Sequence, residues 1–252
     1  MLLLLGLCLK VAAQDEWAKK PYRQWSKDEV SKILTDSPWA KTQTVRINRR
    51  GQLRSIAGQT ETSPDASTGI PGISGTGVLG GAHDASEYKF TLRLRSSLPI
   101  RQAIVRLVQL DAKYDQMSVA EQKAFDAQTK ALLECRECAD NYVVSVGFGT
   151  SNSAGTNLIY EWFAGRTLPS LKRYIYLANE RGARRDLAGF IPPKVPGDEA
   201  FFLFPRLDGQ KEPLLTPTDK KILFRMSDSN PSSVTNFSLD VSKLLVGGKV
   251  DF

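Results

Sequence analysis

The sequence predicts an α+β protein: an antiparallel β-sheet or sandwich of about eight strands, a packed helical hairpin and a long flexible loop. Three observations predict this class. Two segments alternate strictly between apolar and polar residues, and the two segments between them have apolar residues at helical spacing. The last third of the chain is a series of short strand-like segments separated by turn signals, without helical crossovers. This arrangement argues against a doubly wound parallel sheet.

The N-terminus has the pattern of a secretory signal peptide. Residues 2–9 form an apolar run, and Val11 and Ala13 supply small residues before a cleavage site, although Lys10 interrupts the pattern. We therefore predict a signal peptide over residues 1–13, a flexible lead-in over residues 14–24 and a single α+β domain over residues 25–252. The run is too short to span a bilayer, so we predict no transmembrane segment after cleavage and a periplasmic or extracellular location.

The first element of the domain is a short helix. Ser26 and Glu29 form a capping box, and Trp25 is placed to pack on Val30 as a hydrophobic staple. Pro38 ends this helix, and residues 42–49 alternate as a strand.

Residues 51–86 are rich in Gly, Ser, Thr and Ala, which predicts a long, partly disordered loop. The loop contains a G-x-G-x-x-G match over residues 75–80, but neither a strand before it nor a helix after it, as a dinucleotide site requires.

The centre of the chain predicts a strand, two helices and a second strand. Residues 88–95 alternate, Pro99 suits a first helical turn, and Ser118 with Glu121 forms a second capping box. We expect the two helices to form an antiparallel hairpin lying on the sheet. Residues 142–148 alternate again and follow the pair Cys135 and Cys138.

The remaining segments are short. Residues 158–163 predict a helix, and residues 173–178 and 186–191 predict a hairpin around the turn at 179–182. Residues 200–204 predict a very apolar strand that Pro205 places at a sheet margin. Three further strands are predicted, at residues 221–226, 235–241 and 249–252.

Short motifs near both ends of the mature chain resemble those of a known group. They are Trp25-Ser-x-x-Glu29, Asp36-Ser-Pro-Trp-Ala40, Phe202-Leu-Phe-Pro-Arg206 and Gly248-Lys-Val250. This combination resembles a group of uncharacterised exported bacterial proteins. The resemblance implies a location in the cell envelope and no particular activity, cofactor or catalytic residue.

The residue inventory excludes several chemistries. His83 is the single histidine and lies in the predicted loop, where a general base would lack a rigid setting. Histidine-rich metal sites are excluded by that count, and no pair of carboxylates stands out as an acid and base. We therefore predict no catalytic residues, no metal and no cofactor, and we favour a non-catalytic protein while leaving an enzyme open as the alternative. A hydrolase whose carboxylates come from distant strands is a further alternative.

Cys135 and Cys138 are the most specific chemical feature. In an exported protein this C-x-x-C spacing predicts a local disulfide that ties the helical hairpin to the following strand. The alternative is a thiol-disulfide redox protein, which the helix C-terminus disfavours because the macrodipole opposes a thiolate there. A zinc site would need further ligands, and free thiols complete the alternatives.

The chain carries a formal net charge of +7, which favours anionic surroundings. Arg46, Arg93 and Arg95 are candidates for an anion-binding site if the sheet brings them onto one face. The alternative is a solvated basic surface with no specific ligand. We predict a non-catalytic binding or structural protein whose partner is an anionic envelope component or another envelope protein. No nucleic-acid module accompanies these arginines, so we predict no nucleic-acid partner.

Overall fold

The computed structural model describes residues 16–47, 53–56, 87–150, 153–227, 234–246 and 249–252. The predicted signal peptide, the G-x-G-x-x-G match and His83 lie outside the described residues.

The described residues form five α-helices and thirteen strands. The helices are α1 (Lys27–Thr35), α2 (Leu98–Asp111), α3 (Val119–Glu134), α4 (Ser153–Ala164) and α5 (Leu168–Leu171). The first seven strands are β1 (Asp36–Ser37), β2 (Ala40–Ile47), β3 (Leu53–Ile56), β4 (Glu87–Leu94), β5 (Asn141–Thr150), β6 (Ile175–Asn179) and β7 (Arg184–Asp186). The others are β8 (Gly189–Ile191), β9 (Ala200–Pro205), β10 (Lys221–Ser227), β11 (Val234–Asp240), β12 (Leu245–Val246) and β13 (Lys249–Val250).

Two antiparallel sheets pack face to face. The large sheet has the order β1-β2-β4-β5-β9-β8, with β3 also paired to β2, and the small sheet has the order β11-β10-β6-β7. The ring centroids of Phe202 in the large sheet and Phe224 in the small sheet are 5.5 Å apart. The predicted α+β class with antiparallel sheets is confirmed.

Local sequence signals explain where several elements begin. Both predicted capping boxes are present: Ser26 with Glu29 starts α1, and Ser118 with Glu121 starts α3. Along β4 the predicted alternation is also confirmed, because Tyr88, Phe90, Leu92 and Leu94 are buried while the residues between them are more exposed.

The predicted lead-in differs from the structure. Residues 16–19 and 22–24 form 3₁₀ turns, and Trp17 is buried with its ring 5.4 Å from Trp25 and 5.9 Å from Trp39. Trp25 Nε1 donates a hydrogen bond of 2.8 Å to the Trp17 carbonyl. The lead-in therefore packs against Trp25 and Trp39, which flank α1, because burying a tryptophan ring offsets the entropy of ordering the segment.

In the described part of the predicted loop, residues 53–56, the chain forms the strand β3. β3 pairs with β2, with Arg54 opposite Arg46. Leu53-Arg-Ser-Ile56 does not alternate strictly between apolar and polar residues, so its pattern gives no strand signal.

The helical hairpin packs less closely on the sheet than expected. α2 contacts α1 and α3, and Ile100 and Ala103 of α2 reach the main core. Thr129 is the buried residue of α3, whose Leu132 remains exposed. The expectation that both helices lie on the sheet was therefore wrong for α3, whose apolar stripe is too sparse to form an inner layer.

A hairpin forms around residues 179–182 as predicted, by the pairing of β6 with β7, but its second strand is Arg184–Asp186 and not residues 186–191. The predicted second strand instead passes from the small sheet to the large sheet: Leu187 is fully buried, and Phe190 in β8 pairs with Phe202 in β9. Gly189 allows this crossing, because a Cβ there would lie 3.2 Å from Leu203 Cβ.

Candidate functional site

The strongest candidate site lies on the outer face of the large sheet, which is the face turned away from the small sheet. Strand register places Arg93 opposite Ser145 and Ser145 opposite Phe201, so these three side chains form a row across β4, β5 and β9. Arg95 follows β4 and Glu199 precedes β9, which brings both to the same part of this face.

Arg93 is a fixed part of this cluster. Its Nε donates a hydrogen bond of 2.7 Å to the carbonyl of Leu34 near the end of α1, and its Nη1 pairs with Glu199 Oε1. Gly147 leaves room for this pair, since a Cβ there would lie 3.1 Å from Arg93 Nη1. The backbone of α1 therefore positions Arg93, and Arg93 positions the Glu199 carboxylate.

Arg95 is held less completely. Its side chain is 18% exposed, and its Nη1 lies 3.5 Å from Glu199 Oε2, which has no hydrogen-bond partner in the described part of the chain. Its guanidinium stacks over the Phe201 ring at 5.1 Å. Burial lowers the pKa of Arg95 and Glu199 partly offsets this effect. Within the described ranges Arg95 makes no side-chain hydrogen bond, and its ion pair with Glu199 uses Nη1, so its other N–H groups remain available to an acceptor.

A cleft of about 380 Å³ opens beside Arg95. It is lined by Arg95, Ile191, Pro192, Pro193, Lys194, Gly197, Asp198, Glu199 and Phe201. This volume falls within the range of about 300–1,000 Å³ that is usual for small-molecule sites.

The loop between β8 and β9 forms the rim of the cleft and is well tied down. The Asp198 carboxylate accepts hydrogen bonds from the backbone N–H groups of Lys194 and Val195, at 3.1 and 3.2 Å. Tyr160 of α4 donates a 3.0 Å hydrogen bond to the Lys194 carbonyl. The two prolines restrict the backbone further, so the rim is pre-formed.

The structure separates the third predicted arginine from the other two. Arg46 in β2 pairs with Glu87, whereas Arg93 pairs with Ala40, six positions along the same strands. Six positions correspond to about 20 Å along a strand. The structure therefore brings together Arg93 and Arg95, but not Arg46.

The structure joins Cys135 and Cys138 in a disulfide. Cys135 ends α3 with a left-handed φ of 41°, and Cys138 is buried beside the start of β5. A helix C-terminus disfavours a thiolate, and burial of Cys138 limits attack on its sulfur. This position suits a structural link better than a redox centre. The disulfide also adjoins the site, since Cys138 Sγ lies 3.9 Å from the carbonyl oxygen of Arg95.

A second polar cluster lies near the disulfide. Arg206 donates hydrogen bonds of 2.9 Å to the Cys138 carbonyl and 2.5 Å to the main-chain oxygen of Phe252, and stacks over Tyr142 at 4.8 Å. The Asp251 carboxylate accepts a 2.7 Å hydrogen bond from the Leu98 N–H at the start of α2. Burial raises the pKa of Asp251 and lowers that of Arg206. These contacts fasten the segment of residues 249–252 to the body of the fold.

The sequence reasoning missed Glu199 and the rim of the cleft. Glu199 contacts Arg93 across 106 residues of sequence, and an isolated acidic residue after a Pro-Gly turn carries no local signal of such a contact. The Pro192–Pro193 and Pro196–Gly197 pairs indicated a turn, and a turn alone predicts no cleft.

In the described ranges, no group of three or more His, Cys, Asp or Glu side chains is arranged to hold a metal ion. No helix in that part of the chain is long and apolar enough to cross a bilayer.

Comparison with known proteins adds no assignment. No protein-family model matches this chain, and neither a curated protein nor a solved structure shows significant similarity to it.

Proposed function

We propose that this protein is a non-catalytic binding protein of the cell envelope or the extracellular space, and that the cleft beside Arg95 binds an anionic group of its ligand. One observation carries the proposal. Arg95 is largely buried, lines a pre-formed cleft and makes no side-chain hydrogen bond within the described residues. Its ion pair with Glu199, at 3.5 Å, is longer than a hydrogen bond, so a bound anion would add charge-assisted hydrogen bonds that this guanidinium lacks.

Three features support the exported location. The apolar run of residues 2–9 precedes the small residues Val11 and Ala13, as in a secretory signal. The Cys135–Cys138 disulfide suits an oxidising compartment. The resemblance of the Trp25-Ser-x-x-Glu29 and Phe-Pro-Arg206 motifs to exported bacterial proteins points the same way.

Replacing Arg95 by glutamine is expected to weaken binding to isolated envelopes of the host bacterium about tenfold or more. The reason is the loss of charge-assisted hydrogen bonds, each of which contributes about 1.5–3 kcal/mol. The measurement is co-sedimentation of the purified mature protein with envelopes at physiological ionic strength.

Arg173→Gln is the matched control. Arg173 is exposed and does not line the cleft, so its substitution removes the same charge at a different place on the surface. A basic surface acting only through its net charge would respond equally to both substitutions. Equal binding by the two variants would therefore reject the cleft as the site.

Intact mass and thiol labelling test the exported location. The protein recovered from its host is expected to begin at Gln14 and to take up two labels, at Cys135 and Cys138, only after strong reduction. A mass that retains Met1 would contradict export. Labelling after mild reduction would instead favour the redox alternative.

A further inference from the structure

The charge of the cleft restricts the anion it can hold. Arg93 and Arg95 face Glu199, so the three side chains together carry a net charge of +1. Lys194 and Asp198, which also line the cleft, cancel each other. A carboxylate with a single negative charge matches this balance. A phosphate monoester, with a charge of about −1.5 to −2 near neutral pH, exceeds it.

Glu199 cannot move away from an incoming anion without breaking the cluster. Its Oε1 pairs with Arg93, which in turn is fixed to the Leu34 carbonyl, and its Oε2 lies 3.5 Å from Arg95 Nη1. Any group that binds the free edge of Arg95 therefore lies close to a fixed negative charge. The electrostatic repulsion between Glu199 and the ligand increases with the charge of the ligand. Partial desolvation of the site strengthens this repulsion, because it lowers the effective dielectric constant.

The walls of the cleft favour an apolar body on the ligand. Ile191 is 50% exposed, and it lines the cleft together with Pro192, Pro193 and Phe201. One face of the Arg95 guanidinium is covered by the Phe201 ring, so the N–H edge remains for a ligand. A planar carboxylate pairs with such an edge through two parallel hydrogen bonds.

We infer that the cleft selects a single carboxylate carried on an apolar body, and that Glu199 is the residue that excludes doubly charged groups. This inference rests on the proposed function, since it names the chemistry of the ligand for the same site. Arg95 binds the carboxylate, the apolar walls bind the body of the ligand, and Glu199 sets the charge limit.

Four small probes separate these contributions. Octanoate has both the carboxylate and the apolar body, acetate has only the charge, octanol has only the body, and octyl phosphate has the body with a higher charge. Binding is measured by NMR titration of the mature protein, following the backbone amides of Ile191, Lys194 and Phe201. We expect octanoate to bind at least about tenfold more tightly than each of the other three.

Variants assign the roles. Arg95→Gln is expected to weaken octanoate binding about tenfold and to leave octanol binding unchanged. Arg173→Gln is expected to change the binding of neither probe. Glu199→Gln preserves the shape of the carboxylate and its ability to accept from Arg93. It is expected to strengthen octyl phosphate binding about tenfold and octanoate binding by a smaller factor. Circular dichroism checks the fold of each variant, and Phe201→Ala gives a second test of the apolar wall if Glu199→Gln does not fold.

Each outcome separates the inference from the proposed function. If octyl phosphate binds the wild-type cleft as tightly as octanoate and Arg95→Gln weakens the binding of both, the inference that Glu199 excludes doubly charged groups is wrong. The proposed function as an anion-binding site would then still hold. If acetate binds as tightly as octanoate, the inference that the ligand carries an apolar body is wrong. If none of the four probes shifts the amides around the cleft, the cleft is not an anion site and the proposed function fails with the inference.

Discussion

Replacing Phe202 by alanine is expected to lower the free energy of unfolding by about 3–5 kcal/mol. Phe202 is fully buried in β9, and its ring centroid lies 6.2 Å from Phe163 in α4, 5.4 Å from Phe190 in β8 and 5.5 Å from Phe224 in the small sheet. The side chain therefore joins a helix, an edge strand and the opposite sheet. Its loss would leave a cavity that none of these elements could fill without moving the others.

Phe201→Ala is the matched control for this substitution. Phe201 is the preceding residue on the same strand, but its ring lies on the outer face and is partly exposed. We expect its loss to cost less than about 2 kcal/mol, since less apolar area is removed from water. Urea unfolding of both variants measures the difference. Equal losses would mean that the two sheets do not pack through Phe202.

The features that the sequence predicted correctly depend on neighbouring residues. The capping boxes at Ser26 and Ser118 require partners three residues away, and the alternation of residues 88–95 is a property of one strand. Each pattern specifies its own local structure, whatever the rest of the chain does. The α+β class followed from the order of such segments.

The features that it missed depend on distant contacts. Trp17 is ordered because Trp25 and Trp39 pack around it, and β8 joins the large sheet because Leu187 enters the core. The candidate site has the same character. Two of its arginines could be predicted from the alternation of β4, but Glu199, which determines the charge of the site, lies 106 residues beyond Arg93.

Replacing Arg206 by alanine is expected to lower the free energy of unfolding by about 2–4 kcal/mol. The substitution removes hydrogen bonds to the main-chain oxygens of Cys138 and Phe252 and the stacking of the guanidinium on Tyr142. Arg206 thus connects the end of β9, the disulfide turn and the segment of residues 249–252. Its loss should release that segment, and the Leu98 amide should lose the Asp251 carboxylate as its acceptor.

Hydrogen exchange distinguishes this release from a general loss of stability. Exchange of the Leu98 amide should accelerate more than exchange of amides in the centre of β5, because local opening affects only the docked segment. Arg225→Ala is the control, since Arg225 also lies over an aromatic ring, Tyr176 at 5.9 Å, but on the outer face of the small sheet. We expect that substitution to cost less than about 1 kcal/mol.

Arg206→Lys separates the geometry of the guanidinium from its charge. Lysine keeps the positive charge, but a single ammonium group cannot reproduce the fork that reaches two carbonyl oxygens while stacking on Tyr142. We therefore expect Arg206→Lys to lose most of the stability that Arg206→Ala loses and to show the same faster exchange at Leu98. Full recovery by lysine would show that Arg206 acts through its charge on Asp251 and not through the two carbonyl groups.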